Sequence, residues 1–147
     1  IFKGMNFRIT GMQAALGLSQ IKRFKELIKK RISLGKYFNK KLKNIVDVMS
    51  IGKKYDSSYY SYLIILKNKK LRDSLAKFLR KNGVETKLWK PIHLYKPYIE
   101  FNKNKFPVAN KIYERHLRLP INNQISKKDI DLICKLIKNF FIKNDSI

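Results

Sequence analysis

Acidic residues are scarce in this chain: ten Asp and Glu stand against 34 Lys and Arg, for a formal charge of +24 over 147 residues. Cysteine is scarcer still. Cys134 is alone, which excludes an internal disulfide and fits a reducing, cytoplasmic setting. No apolar run approaches the roughly 18 to 20 residues that a membrane helix needs. The longest, Tyr62 to Leu66, has the length and composition of a buried strand. No charged head precedes an apolar core and cleavage site, so a secretory signal is not expected, and Ile at residue 1 suggests a fragment or a processed chain. The sequence also lacks a phosphate-cradling glycine loop, a metal-ligand spacing and a convincing carboxylate pair. A self-sufficient active site is therefore not expected in this stretch.

What is abundant is lysine. A strongly basic chain attracts polyanions: nucleic acid, anionic lipid or phosphorylated substrates. Here the lysines run through every segment together with many Ile and Asn, the trio that an AT-rich coding sequence supplies. That bias also favours Glu, which is scarce, so it accounts for only part of the charge. A basic polyanion-binding module remains the alternative on charge alone. No nucleic-acid recognition motif or glycine–aromatic stacking segment supports it, and no specific nucleic-acid partner is expected.

Apolar residues make up 44% of the chain, enough for one compact domain with a core. Thr10 and Gln13 have capping-box spacing. Met12, Ala15, Leu16 and Ser19 then share one helical face, and Phe24, Leu27, Ile28, Leu34, Phe38 and Leu42 continue the period through Lys43. One long helix fits, as do two in series with a bend near Arg23. Residues 44–58 read as a linker, and Tyr59 to Leu66 as a strand. Leu71 to Lys81 is an amphipathic helix, with Leu71, Leu75, Phe78 and Leu79 inward and Gly83 suited to the left-handed position after it. Val84 to Trp89 is expected to return as a strand, giving a strand–helix–strand unit in a small α+β domain. A proline-stiffened loop follows from Lys90 to Pro107. Helix is expected over Val108 to His116, extended chain over Leu117 to Pro120, and a capped helix from Ser126 through Phe141 with Ile130, Ile133, Cys134 and Ile137 inward. A nucleophile role for Cys134 beside His93 or His116 is conceivable, but its place on an apolar stripe predicts a small buried thiol.

Three clusters carry candidate chemistry. In Gly4-Met5-Asn6-Phe7-Arg8-Ile9-Thr10, Asn6 and Arg8 sit in a loop next to a helix start, a location that favours a phosphate. Their bland reading is a turn cap and a solvated cation. In Trp89-Lys90-Pro91-Ile92-His93-Leu94-Tyr95-Lys96-Pro97-Tyr98, an indole, an imidazole and two phenols share a stiff loop that suits a sugar or base pocket. Their bland reading is anchorage of the loop on the core. Phe106-Pro107-Val108-Ala109 and Arg115 to Pro120 read as architectural, with Arg115 and Arg118 free either to pair with acids or to reach an anion.

Taken in order, these clusters resemble the DegT/DnrJ/EryC1/StrS family of sugar aminotransferases. The family's Gly-x-Asn-x-Arg-Met-Thr and Gln-Ala-Ala-x-Gly segments correspond to Gly4, Asn6, Arg8, Ile9, Thr10, Gln13, Ala14, Ala15 and Gly17, with Ile9 in place of Met. Its Pro-x-His and Pro-Tyr segment matches Pro91, His93, Pro97 and Tyr98. Its Phe-Pro-x-Ala and Leu-x-Leu-Pro segments match Phe106, Pro107, Ala109, Leu117, Leu119 and Pro120. The resemblance implies the small carboxyl-terminal α+β domain of a fold-type-I pyridoxal-phosphate aminotransferase: a long amino-terminal helix plus a small sheet with helices packed on it. Residues 1–43 would be the interface segment and helix linking to a large domain, and residues 44–147 the small domain. The resemblance also implies a homodimer that moves an amino group, usually from glutamate, to a nucleotide-linked keto sugar for surface polysaccharide or glycan synthesis. By position, Asn6 would reach the cofactor phosphate of the neighbouring subunit, with Arg8 close to the same anionic region. Trp89, His93 and Tyr95 would border the substrate pocket, Trp89 and Tyr95 by proximity alone. The lysine that bonds pyridoxal phosphate is expected upstream of residue 1, so this chain alone is expected to be inactive.

Overall fold

The computed structural model describes residues 7–49, 55, 57–101 and 106–144. The capping box forms as its spacing predicts: Gln13 N donates to Thr10 Oγ1 (3.3 Å) and Thr10 N donates to Gln13 Oε1 (2.9 Å). From there α1 runs unbroken through Gly11–Leu42, 32 residues, with no division near Arg23. No Pro interrupts it, and no other kink-forming element lies at that point. Its two halves live in different environments. Leu34, Gly35, Phe38 and Leu42 are buried, whereas Met12, Leu16, Leu18, Ile21 and Phe24 are all exposed.

A three-stranded antiparallel sheet lies against the inner half of α1, in the order β1 (Asp47–Val48), β2 (Tyr62–Ile65), β3 (His116–Leu119). The register pairs Tyr62 with Leu119 and Ile64 with Leu117, so the apolar residues of both strands share one face. That face, with α1, α2 (Lys69–Lys81) and α4 (Lys127–Asn144), encloses a core of Leu34, Phe38, Leu42, Tyr62, Ile64, Leu75, Leu79, Leu117, Leu119, Ile130, Ile133 and Ile137. The architecture is α+β, with helices on a small sheet, as expected.

β2 is shorter than the strand expected over Tyr59 to Leu66 because Tyr59 adopts a left-handed backbone, φ 47°. Its ring then lies directly over Gly35, where any Cβ would collide with it. Asn39 Nδ2 donates to the Tyr59 hydroxyl (3.0 Å), and Asn39 Oδ1 accepts from Tyr62 (2.8 Å). Phe38 stacks on Tyr62 with centroids 4.6 Å apart. One helical turn of α1 thus holds two tyrosines on two different backbone conformations. Burial pushes the Tyr62 phenol well above its ordinary value.

Gly83, Pro107 and Ser126 mark helix ends as expected, while α2 starts two residues earlier than the expected Leu71, on a cap not named from the sequence. Asn68 accepts from Leu71 N (2.9 Å) at the start of α2, and Gly83 follows its end at φ 78°, which suits a residue without Cβ. α3 (Pro107–Arg115) begins on its proline. At α4, Ser126 and Asp129 exchange reciprocal bonds: Ser126 N donates to Asp129 (2.8 Å) and Asp129 N donates to Ser126 Oγ (3.2 Å). Those bonds to Ser126 hold the Asp129 carboxyl below its ordinary value. Cys134 is buried on α4, and desolvation pushes its thiol up to about 12. It has neither the exposure nor the thiolate character of a nucleophile.

The structure corrects a further expected element. Val84 to Trp89 is not a full strand: only Lys87 joins the sheet, bridging to Arg118 on the outer edge of β3 (Lys87 N to Arg118 O 3.2 Å, Arg118 N to Lys87 O 3.0 Å). Two residues later the Trp89 N–H turns to a side chain, and Pro91 then removes a donor, so the ladder cannot extend. β3 nevertheless lies between β2 and this segment, which makes the unit a split β–α–β arrangement. The short β1 falls in the stretch expected to be linker.

Two outcomes follow from this packing. Gly35→Ala is expected to lower stability by about 2 kcal/mol, because Tyr59 must leave its site or strain further. The shift of the urea midpoint measures it, and an unchanged midpoint would show that the Tyr59 ring is not fixed there. Between α1 and α4, Asp131 accepts from Tyr37 (2.9 Å) and pairs with Lys41 at 2.7 Å. The Lys41 bond, then the Tyr37 bond, holds its carboxyl below the ordinary 3.8. A carboxylate with a depressed folded value stabilises above its unfolded value and loses that contribution as pH falls through the folded one. The stability gap between the native chain and Asp131→Asn is therefore expected to be full at neutral pH and to close below about pH 3.8. A gap independent of pH would remove the pair from the fold's stabilising contacts.

Candidate functional site

The residues singled out in the sequence fall in two places. Arg8 is exposed in an extended segment directly before the Thr10 cap of α1; Asn6 lies outside the described residues. A guanidinium beside exposed N–H groups at a helix start is a donor set that fits the phosphate end of pyridoxal phosphate. Nothing among the described residues here offers a partner for its ring. No His, Cys, Asp or Glu group suited to a metal ion occurs among the described residues.

The second place is the loop after Lys87. Pro91 opens a tight 3-10 turn over Ile92–Leu94, and a second runs over Lys96–Phe101. These turns send neighbouring side chains in different directions. His93 points inward and is 8% exposed. Its Nε2 donates to Asn110 Oδ1 (2.7 Å), and its ring stacks on Phe106 at 4.7 Å. His93 therefore ties the loop to α3. Trp89 and Tyr95 remain 46% and 48% exposed, each with a cation on its ring: Arg118 lies 4.5 Å from the Trp89 centroid and Lys90 lies 5.3 Å from that of Tyr95.

The clefts beside this loop are open and separate. One of about 330 Å³ is lined by Lys69, Arg72, Leu94, Asn110, Tyr113 and Glu114. Another of about 270 Å³ is lined by Glu85, Lys87, Arg118 and the turn from Leu119 to Asn122. The loop thus presents a polar, cationic and aromatic surface suited to binding rather than a closed chamber.

Of the two arginines left open in the sequence, Arg115 is architectural: its Nε donates to Leu66 O (2.7 Å) across α3 and β2. Arg118 has no hydrogen-bond or ion-pair partner among the described residues apart from its backbone pairing with Lys87. Tyr60 and His116, not marked as site residues from the sequence, also sit against Trp89: Tyr60 at 6.0 Å between centroids, and His116 Nε2 accepting the Trp89 N–H (3.2 Å). Strand alternation in His116-Leu117-Arg118-Leu119 was the available signal. With Leu117 and Leu119 in the core, His116 and Arg118 must face the other side.

The chain has clear relatives. The model of the DegT/DnrJ/EryC1/StrS aminotransferase family matches residues 2–138. GDP-perosamine synthase of Vibrio cholerae is 27% identical over 143 residues, covering 92% of this chain and 38% of its own length. UDP-2-acetamido-2-deoxy-3-oxo-D-glucuronate aminotransferase of Pseudomonas aeruginosa is 29% identical over 138 residues, again covering 92% of this chain and 38% of its own. A DegT/DnrJ/EryC1/StrS aminotransferase structure from Brucella abortus superposes with a TM-score of 0.82 at 27% identity, covering 95% of this chain and 38% of that one. PseC of Helicobacter pylori, an aminotransferase involved in the biosynthesis of pseudoaminic acid, gives a TM-score of 0.77 at 25% identity, covering 95% and 39%. The chain spans less than two fifths of the length of these relatives. The ordered motifs, the split sheet and the family match agree: this chain belongs to the DegT/DnrJ/EryC1/StrS aminotransferase family, whose enzymes depend on pyridoxal phosphate.

Proposed function

We propose that this chain is the carboxyl-terminal part of an aminotransferase that moves an amino group from an amino acid, glutamate by family resemblance, to a nucleotide-linked keto sugar in the cytoplasm, for surface polysaccharide or glycan synthesis. The observation that carries the reading is the family match over residues 2–138. The outer half of α1 adds a physical argument. Residues 11–21 carry no charge in a chain that is 30% charged, and their apolar side chains are exposed on all sides. A helix that carries no charge and exposes apolar side chains on most of its circumference, with only Gln13, Ser19 and Gln20 polar, is suited to the inside of a larger body. Gly11 and Gly17 lie within that helix with open space around them. Gly17, inside the helix, costs about 1 kcal/mol relative to Ala, a cost that close approach of another surface would explain.

In this reading, residues 1–43 reach into the rest of the enzyme and its dimer partner, while residues 44–147 with the inner half of α1 form the small domain. Asn6 and Arg8 hold the cofactor phosphate, one through an amide donor and the other through a forked cation. Pyridoxal phosphate, when bound, supplies the electron sink for moving the amino group. The lysine that bonds it is proposed to lie in the remainder of the enzyme, and this chain alone is proposed to be inactive. Trp89 and Tyr95 wall the substrate side, and His93 braces that wall from behind through Asn110 and Phe106.

In the complete enzyme, Asn6→Ala is expected to weaken retention of pyridoxal phosphate roughly tenfold, the loss of one charge-assisted hydrogen bond. The cofactor absorbance remaining after dialysis reads this, and full retention would remove Asn6 from the phosphate site. Amine transfer to nucleotide-linked keto sugars by the complete enzyme tests the reading as a whole. For the 147-residue chain, the exposed helix predicts self-association that rises with concentration. Light scattering is expected to show it, and Leu16→Lys with Ile21→Lys to reduce it. A monodisperse monomer at high concentration would mean that this face needs no partner.

A further inference from the structure

Lysines of α1 fall on a single line. Lys22, Lys25, Lys29, Lys36, Lys40 and, at the helical cap, Lys43 lie within a sector of roughly 60° when residues are set about 100° apart around the axis. The line is about 32 Å long and runs opposite the side that carries Leu34, Phe38 and Leu42 into the core. All of these lysines are exposed. None forms an ion pair among the described residues, where the paired cations are Lys41, Arg72 and Lys87. Glu26, the single acid of α1, stands at the edge of the line and joins no described pair either. Like charges sit three or four residues apart in Lys22–Lys25, Lys25–Lys29, Lys36–Lys40 and Lys40–Lys43. Such pairs destabilise a helix, so the fold carries this ridge without gaining from it. Lysines on the other long helices are placed differently: those of α2 flank Asp73, and those of α4 flank Asp129 and Asp131.

We propose that this ridge docks the chain on an anionic lipid membrane, with its ammonium groups among the headgroup phosphates. A spread of about 30° to either side of a helical line departs from a tangent plane by less than about 1 Å at the Cβ radius. A flat surface therefore meets the whole ridge at once. Duplex nucleic acid does not, because along a straight line of this length its phosphates are interrupted by grooves roughly 6 to 12 Å wide. The residue type agrees. Lysine is a compact charge on a flexible stem, suited to a field of mobile anions, whereas the rigid fork of arginine suits a fixed phosphate. No Arg falls on the line: Arg23 and Arg31 lie on other sides of α1. Each lysine near an anionic leaflet adds attraction, which fades within a Debye length. The ridge starts directly after the uncharged stretch 11–21 and contains none of the residues assigned to cofactor or substrate. Membrane attachment and amine transfer therefore stand or fall separately.

Vesicles of phosphatidylcholine, with and without about 30% phosphatidylglycerol, are floated through a density gradient with the 147-residue chain at about 100 mM salt. The chain is expected to rise with the anionic vesicles, to stay behind with the zwitterionic ones, and to be released at about 500 mM salt. Lys29→Gln, Lys36→Gln and Lys40→Gln together are expected to raise the lipid concentration for half-binding roughly a hundredfold. Lys70→Gln, Lys77→Gln and Lys81→Gln together remove the same charge from α2, which packs on α4, and are expected to raise it less than about fivefold. Far-ultraviolet circular dichroism is expected to be unchanged in both variants. The ridge variant is expected to unfold at a urea midpoint no lower than that of the native chain, because like-charge pairs are relieved. Failure of the native chain to rise with anionic vesicles would overturn the proposal. Equal losses in the two variants would mean diffuse attraction to a +24 chain and would also overturn it. Equal binding to zwitterionic vesicles would do the same, placing attachment in the exposed apolar half of α1. So would tighter binding to duplex DNA at the same salt that disappears in the ridge variant, since the ridge would then serve nucleic acid.

Discussion

The fold depends on one contact, the stack of Phe38 on Tyr62. It joins the longest helix to the central strand, and everything else in the core is arranged around that junction. Leu34 and Leu42 extend it along α1, Ile64 and Leu66 along the sheet, and α4 closes it with Ile130, Ile133 and Ile137. Asn39 sits beside the stack and satisfies both nearby phenols, so the aromatic layer is fixed by direction as well as by burial. Gly35 provides the notch that lets Tyr59 enter from a left-handed backbone. A polar clamp of Tyr37, Lys41 and Asp131 locks α1 to α4 from outside.

The sheet then acts as a divider. One face is core; the other, together with the outer edge of β3, carries His116, Arg118 and the Trp89 segment. Side chains separated by some thirty residues in sequence meet because β3 inserts between β2 and the chain returning from α2. The single bridge at Lys87 brings the aromatic loop to Arg118. The same loop is held at its far side by His93 on α3. Two histidines thus do related work with the same ring nitrogen, Nε2, in opposite roles: that of His116 accepts a backbone N–H, and that of His93 donates to an amide oxygen.

Local signals were legible where they are self-contained. The Thr10–Gln13 and Ser126–Asp129 caps, the inward stripe of α4 and the left-handed Gly83 all follow from spacing and residue type. The strand expected at Val84 to Trp89 failed because a ladder needs a partner along its whole length, and the Trp89 N–H is taken by an imidazole from residue 116. The left-handed Tyr59 was unreadable for the same reason: a bulky residue with positive φ persists only where distant parts of the fold hold it, here Gly35 and Asn39 of α1. At the candidate site, composition singled out Trp89, His93 and Tyr95 but not their orientations. Successive turns bury His93 while leaving its neighbours at the surface. Arg118 was visible as a cation, and its stack on Trp89 required the register of the sheet.

The unbroken course of α1 has a mechanical consequence. A 32-residue helix is a stiff rod of roughly 48 Å, clamped in the core only from Leu34 onward. The part from Gly11 up to Leu34, half-buried only at Leu27, Ile28, Arg31 and Ile32 among its larger side chains, is a lever arm of roughly 35 Å. A tilt of the small domain by about 5° therefore displaces its tip by roughly 3 Å, on the scale of a hydrogen bond. Arg8 lies just beyond that tip, so small rotations of the core are delivered as atomic-scale movements at the opposite end of the chain.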